Sequence, residues 1–166
     1  MVTQTAEYAL RAVTWLAEDE HTAPGTGSPH TVHEIAEATS MPAEYLSKVL
    51  QELSKAGIVT SQRGPSGGFR LARRPSTVTV LDVVQAVSPM PRVHECPLGR
   101  PDHQSRLCAL HQLLNDAVAS VEEVFRNVTI ADLLANPDRT VMRCAGICNT
   151  SLSPDDQSPS QTPRTD

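Results

Sequence analysis

Pro42-Ala43-Glu44-Tyr45-Leu46-Ser47-Lys48-Val49-Leu50-Gln51-Glu52-Leu53-Ser54-Lys55-Ala56-Gly57-Ile58-Val59-Thr60-Ser61-Gln62-Arg63-Gly64-Pro65-Ser66-Gly67-Gly68-Phe69-Arg70-Leu71-Ala72 runs from a helical pattern into a hairpin pattern with no linker between them. Over Pro42–Ala56, Tyr45, Leu46, Val49, Leu50 and Leu53 recur at helical spacing and predict a buried stripe. Pro42 suits the first helical position and Gly57 the helix end. Ile58–Gln62 and Phe69–Ala72 have strand composition, and the turn Arg63–Gly68 between them holds three glycines. That turn is not a phosphate-binding P-loop, because no Gly-Lys-Ser/Thr follows and both flanks are strands.

Working upstream, Thr31–Thr39 reads as a short helix with Val32, Ile35, Ala36 and Ala38 apolar. Thr31 is its N-cap and Glu34, three residues on, completes a capping box. The turn Ser40-Met41-Pro42 joins it to the next helix. Two helices across so short a turn, the second amphipathic and basic, give a helix-turn-helix or simply a helical hairpin. The β-hairpin that follows directly gives the order of a winged helix. A slim cationic tip carrying Arg63 suits a narrow minor groove, and a solvated turn residue is the plainer reading of the same arginine.

The first helix is expected over Thr3–Glu18. Ala6, Leu10, Val13 and Ala17 form its stripe, Ala9 and Leu16 widen it, and Trp15 lies near the opposite edge as an anchor for another element. Residues 21–30 form a turn-rich loop. Downstream, Val78–Val87 reads as a helix starting near Thr79. Pro89, Pro91, Pro97 and Pro101 bracket an irregular stretch. The longest helix spans Leu107–Asn127, with Leu110, Leu113, Leu114, Ala117, Val121, Val124, Phe125 and Val128 as a continuous apolar stripe. About 20 residues of helix reach about 30 Å. Such a stripe needs a partner surface, either within the chain or, as expected here, on a second copy in a homodimer. Thr129–Leu134 is a short capped helix. Residues 151–166 are rich in Ser, Pro, Asp, Thr and Gln, a composition expected to stay disordered. The expected organisation is a winged helix-turn-helix over 1–88, a cofactor loop over 89–106, a dimerisation helix with a short following helix over 107–135, and a flexible tail over 136–166. The fold class is mainly α.

The whole chain of 166 residues is 39% hydrophobic, 20% charged and only 3% aromatic, which argues against a β-sandwich built on large rings. No run approaches the roughly 20 apolar residues of a membrane span. Met1–Glu7 lacks the basic and apolar regions of a secretory signal, so the cytoplasm is the expected address. Reduced thiols, metal ligands or redox switches are then expected of the four cysteines, rather than structural disulfides. The net charge of −5 discourages nucleic-acid binding until it is mapped. Residues 1–41 carry one basic and six acidic side chains, and residues 76–166 carry seven and eleven. Residues 42–75 carry six basic and two acidic ones, a local +4. This is a footprint for phosphates or, more plainly, a solvated helix face. No nucleophile elbow or paired-carboxylate arrangement is present, so an enzyme is not expected.

Over Glu7 to Leu134 the sequence resembles the Rrf2 family of winged-helix regulators, which includes the iron–sulfur regulator IscR, the nitric-oxide sensor NsrR and the iron regulator RirA. The resemblance rests on Glu7-Tyr8-Ala9-Leu10-Arg11-Ala12, Ile35-Ala36-Glu37-Ala38, Tyr45–Leu53 with Ala56–Val59, Arg63–Phe69, and Val80–Val87. It implies a dimeric transcription factor on double-stranded DNA, one recognition helix per subunit entering a major groove of a near-palindromic operator. The family's base-reading positions fall on Ala43, Glu44, Ser47 and Lys48, and the wing contribution on Arg63 with Gly64 beside it. Glu44 suits a cytosine amine and Lys48 a guanine or phosphate. Tyr45 and Leu46 match core positions. Lys55, Arg70, Arg73 and Arg74 are expected at phosphates.

Cys96 and Cys108 flank the irregular loop, and His111 lies three residues beyond Cys108, on the same face if Cys108 opens the long helix. Such donors suit an iron–sulfur cluster or zinc. Cluster-binding members of the family place three cysteines in this loop, with a histidine three residues after the last. Cys96, Cys108 and His111 match three of those positions; the middle cysteine is replaced by Asp102, with His103 beside it. The resemblance therefore implies a 2Fe-2S cluster on Cys96, Cys108 and His111. Glu7 of the other subunit, His103, Asp102 or His94 would supply the fourth ligand. A mononuclear zinc or iron site and a cluster-free repressor responding to thiols or a small ligand are the alternatives. A zinc- or iron-binding interaction protein that does not bind DNA is another. Cys144-Ala145-Gly146-Ile147-Cys148 is separate, and its spacing fits a metal, a disulfide or neither. The expected switch is a cluster that holds residues 92–108 against the first and long helices. Its oxidation, nitrosylation or loss of iron would then shift the spacing of the recognition helices.

Overall fold

The computed structural model describes residues 3–19, 27–64, 67–94 and 107–135. Six helices and one hairpin follow in the order α1 (Gln4–Asp19), α2 (Val32–Thr39), α3 (Ala43–Lys55), β1 (Val59–Gln62), β2 (Gly68–Leu71), α4 (Val80–Val87), α5 (Ala109–Arg126) and α6 (Ile130–Ala135). A 3-10 turn, Pro75–Thr77, precedes α4.

Helix α1 is the centre of the core. Ala6, Ala9, Ala12, Val13, Leu16 and Ala17 are all buried, and α2, α3, α4, α6 and β2 pack around the helix. Ile35, Leu46, Val49, Leu50, Leu53, Ile58, Leu71 and Ile130 complete the core. Local chemistry fixes the joints between these elements. Ser40 ends α2 in the left-handed region at φ 55°, its N–H donating to the carbonyls of Ala36 and Glu37. That reversal feeds directly into α3, with Pro42 as N-cap, so the helix begins at Ala43, one residue later than the sequence pattern suggests. Gly57, at φ 68°, closes α3. Its N–H reaches the carbonyl of Ser54 at 3.1 Å and the N–H of Ile58 reaches that of Leu53 at 3.0 Å, the two bonds of a Schellman end.

The wing is antiparallel, from Val59 opposite Leu71 to Gln62 opposite Gly68. A third segment joins it: His30 and Phe69 exchange backbone hydrogen bonds of 2.9 and 2.7 Å. Trp15 meets the His30 ring edge-to-face at 4.7 Å, so the indole on α1 does anchor another element.

Thr79 and Thr129 each cap a helix, α4 and α6, through a reciprocal bond with Asp82 or Asp132. The two caps pair as a short antiparallel bridge, with Val80 N–H to Val128 O and Ile130 N–H to Val78 O, both 2.9 Å. The chain therefore leaves the core after α4, runs out along α5, and returns so that Ile130 and Leu134 of α6 enter the same core as α1.

Two expectations change. Tyr45 is not in the buried stripe of α3: it is 38% exposed, sits edge-to-face on Tyr8 at 5.6 Å, and its hydroxyl meets that of Thr5. The phenol keeps its polar end at the surface while its ring packs, as an amphipathic side chain does. The apolar stripe of α5 also divides. Phe125 and Val128 pack inward on Ala6, Val80 and Val84, whereas Leu110, Leu113, Leu114, Val121 and Val124 face outward. The tail 136–166 and the loop residues 21–26 lie outside the described residues.

Two predictions follow from this architecture. A Cβ on Gly68 would stand 2.3 Å from the His30 carbonyl oxygen, backbone against backbone. Gly68→Ala should therefore lower stability by about 1–3 kcal/mol, the range for overpacking, read as a shift of the denaturation midpoint. Glu34 is the second case. Its carboxylate accepts the backbone N–H and hydroxyl of Thr31, and these bonds hold its pKa below the ordinary 4.5. A lowered folded pKa stabilises the protein above the ordinary carboxylate value, and that stabilisation disappears as pH falls through the lowered one. Side-chain NMR titration should find Glu34 below 4.5 in wild type and moved only part of the way back toward the ordinary value in Thr31→Ala, which removes the hydroxyl and keeps the backbone N–H.

Candidate nucleic-acid interface and sensor site

The first turns of α3 present Ala43, Glu44 and Lys48 to solvent, Ser47 is half-buried, and Leu46 and Leu50 of the same helix lie in the core. The capped turn at Ser40–Pro42 holds the start of the helix, and Tyr45 ties it to Thr5 and Tyr8 of α1. Lys55, at the far end, pairs with Glu52 at 2.7 Å.

Arg63 and Gly64 are exposed at the wing turn, with Gly64 at φ 120°. Only glycine adopts that angle without strain. Pro65 and Ser66 lie outside the described residues. Arg70 is half-buried on β2 opposite Thr60. Arg73 is engaged within the chain: it donates to the Thr77 carbonyl and stands 3.6 Å from Asp82, bracing the entry to α4. Arg74 is exposed.

Cys108 is the N-cap residue of α5, and its Sγ lies 3.1 Å from Nδ1 of His111. The three-residue spacing thus does bring thiol and imidazole together. Both side chains are half-buried. Glu7 does not join them within one subunit. It is exposed and pairs with Arg11 at 2.5 Å, and no group of three metal-ligating side chains forms among the described residues. His94 is exposed; Cys96, Asp102, His103, Cys144 and Cys148 lie outside the described residues.

Beside this pair is a feature that sequence reading missed. The N–H of Val93 donates to Oδ1 of Asn115 at 2.9 Å, and Nδ2 of Asn115 donates to the Val93 carbonyl at 2.5 Å. Arg92 donates to the Asn115 carbonyl at 2.8 Å and to Glu122 at 3.2 Å. Glu122 is 8% exposed, and Thr14 is the other buried polar residue among the described residues. Cys108, His111, Asn115 and Glu122 are spaced three, four and seven apart, which places them along one side of α5. That polar row beside the apolar stripe was the available signal.

A helix-turn-helix followed by a hairpin wing, with an exposed basic segment, defines the molecule as a DNA-binding protein of the winged-helix class. Residues 2–136 match the family described as Rrf2, iron-dependent transcriptional regulators. An HTH-type transcriptional regulator of Aquifex aeolicus is 31% identical over 133 residues, covering 78% of this chain and 88% of the relative. The HTH-type regulator NsrR of Bacillus licheniformis is 29% identical over 139 residues, covering 82% and 94%. Among solved structures, IscR of T. potens superposes with a TM-score of 0.62 at 26% identity, covering 81% of this chain and 85% of that one. The chain belongs to the Rrf2 family of transcriptional regulators, whose members are not enzymes. No helix among the described residues is long and apolar enough to cross a membrane.

Lys48→Ala and Arg63→Ala should each weaken operator binding. Loss of a phosphate contact also lowers the slope of log affinity against log salt by about 1, whereas loss of a base contact costs about 1–3 kcal/mol and relaxes sequence preference. Fluorescence anisotropy across a salt series separates the two roles.

Proposed function

We propose that the protein is a homodimeric regulator that binds a near-palindromic operator and reads redox, nitric-oxide or iron status through a 2Fe-2S cluster. The observation that carries the sensor reading is the Cys108–His111 pair: a thiol and an imidazole 3.1 Å apart at the start of the helix that projects from the DNA-binding core. Soft sulfur with borderline nitrogen is a donor set for iron–sulfur clusters and for zinc. The family's description as iron-dependent favours iron. Cys96 is the third ligand in this reading, with Glu7 of a second subunit or His103 as the fourth. A bound cluster supplies a centre whose charge and ligation change with oxidation or nitrosylation. The chain's part is to hold donors at the base of α5, so that a change there moves α5 against the core.

The dimer is supported by the outward face of α5. Leu110, Leu113 and Val124 are 60%, 66% and 61% exposed, too much contiguous apolar surface to leave in water. Leu110, Ala117 and Val124 repeat every seven residues with Leu114 and Val121 four residues on, the spacing of a helix pair that wraps around a seam. Ala117 in the middle allows close approach. Two recognition helices joined this way would meet successive turns of one duplex face. We place this regulator in the cytoplasm, where its operator is.

Anaerobic purification with iron and sulfide analysis and a visible spectrum tests the sensor. The expected result is equimolar iron and sulfide with visible absorption, abolished in Cys108→Ala and His111→Ala. One metal per chain without sulfide would replace the cluster by a mononuclear site. A colourless, metal-free protein that still binds its operator would leave a cluster-free regulator, and metal without any DNA affinity would leave an interaction protein.

A further inference from the structure

We propose that Asn115, backed by the Arg92–Glu122 ion pair, is a positioning residue that sets the register of residues 92 and 93 against the Cys108–His111 pair. The inference rests on the sensor reading above and extends it to residues that ligate nothing. Residues 89–94 follow α4 as irregular chain, with no ladder partner to fix them. Yet both hydrogen-bonding groups of the Val93 peptide are satisfied by one carboxamide, from a residue 22 positions away. A side-chain amide offers a donor and an acceptor side by side, as a neighbouring strand does. Bonds of this kind specify one register; apolar contact alone would let the segment slide along α5.

The backing pair strengthens that argument. A buried carboxylate is costly unless paired and hydrogen-bonded. Glu122 is retained at 8% exposure. It meets Arg92, which also donates to the Asn115 backbone, so adjacent residues 92 and 93 are gripped two helical turns apart. Asn115 lies one turn beyond His111 on the same row. The grip on residues 92 and 93 is therefore connected to the thiol–imidazole pair through one rigid element, α5.

Asn115→Leu is the incisive variant. It is close in size and removes both the acceptor for Val93 N–H and the donor to the Val93 carbonyl. Glu122→Gln removes the buried charge at constant shape and serves if the first variant folds poorly. In the full-length metal-free protein, the Val93 amide should exchange slowly in wild type and at least tenfold faster in either variant. Anaerobic reconstitution with iron and sulfide, and separately titration with cobalt, should show about tenfold weaker loading in the variants, with the far-ultraviolet spectrum of wild type. Equal Val93 exchange in wild type and variants overturns the clamp. Lost protection with unchanged loading overturns the positioning role and leaves the sensor reading standing. A wild-type protein that takes up neither iron–sulfide nor cobalt overturns the sensor reading and the positioning role with it.

Discussion

The close packing of small side chains along α1 is the constraint on which the rest depends. Ala6, Ala9, Ala12 and Ala17 are buried to within 1% of full exclusion, and they let α2, α3, α4, α6 and β2 approach one helix from several sides. Interiors this dense transmit displacement instead of absorbing it. The recognition helix, the wing base and the returning α6 are thus all referred to one axis. The contacts made by α1 beyond the alanines follow the same logic. Trp15 reaches His30 at the wing, while Thr5 and Tyr8 reach Tyr45 at the start of α3.

Helix α5 stands outside that core and belongs to it at one end. Its C-terminal side packs Phe125 on Ala6, Val80 and Val84, and the paired caps at Thr79 and Thr129 bring the chain home. Its outward side is apolar, suited to a second copy. A third side bears the Cys108, His111, Asn115, Glu122 row and receives residues 92 and 93. One helix therefore adjoins the DNA-binding core, the proposed partner and the proposed sensor. In the proposed dimer, a change at its base has a short physical route to the spacing of the two recognition helices.

Most of the helix-turn-helix and the wing was legible in the sequence because the signals there are local. A capping box at Thr31 and Glu34, a left-handed end at Gly57 and the alternation of the hairpin each need only a few neighbouring residues. The three-residue step from Cys108 to His111 was legible for the same reason. Tyr45 was misplaced because helical periodicity does not distinguish a residue at the middle of a stripe from one at its edge. Only the contacts with Thr5 and Tyr8, about forty residues away in sequence, keep the phenol at the surface. Asn115 and Glu122 were overlooked because their partners lie 22 and 30 residues back, in a stretch with no periodicity to announce them. The division of the α5 stripe depends on where α4 and α1 end up, which no pattern within α5 encodes.

The central claim is that this fold presents two recognition helices as a symmetric pair. Selecting binding sites for the full-length protein from a pool of random duplexes tests it most directly. The account predicts recovered sites with twofold symmetry and half-sites about 10 base pairs apart, the repeat of one helical turn. A pool that yields no enrichment, or one whose sites lack that symmetry, would contradict it.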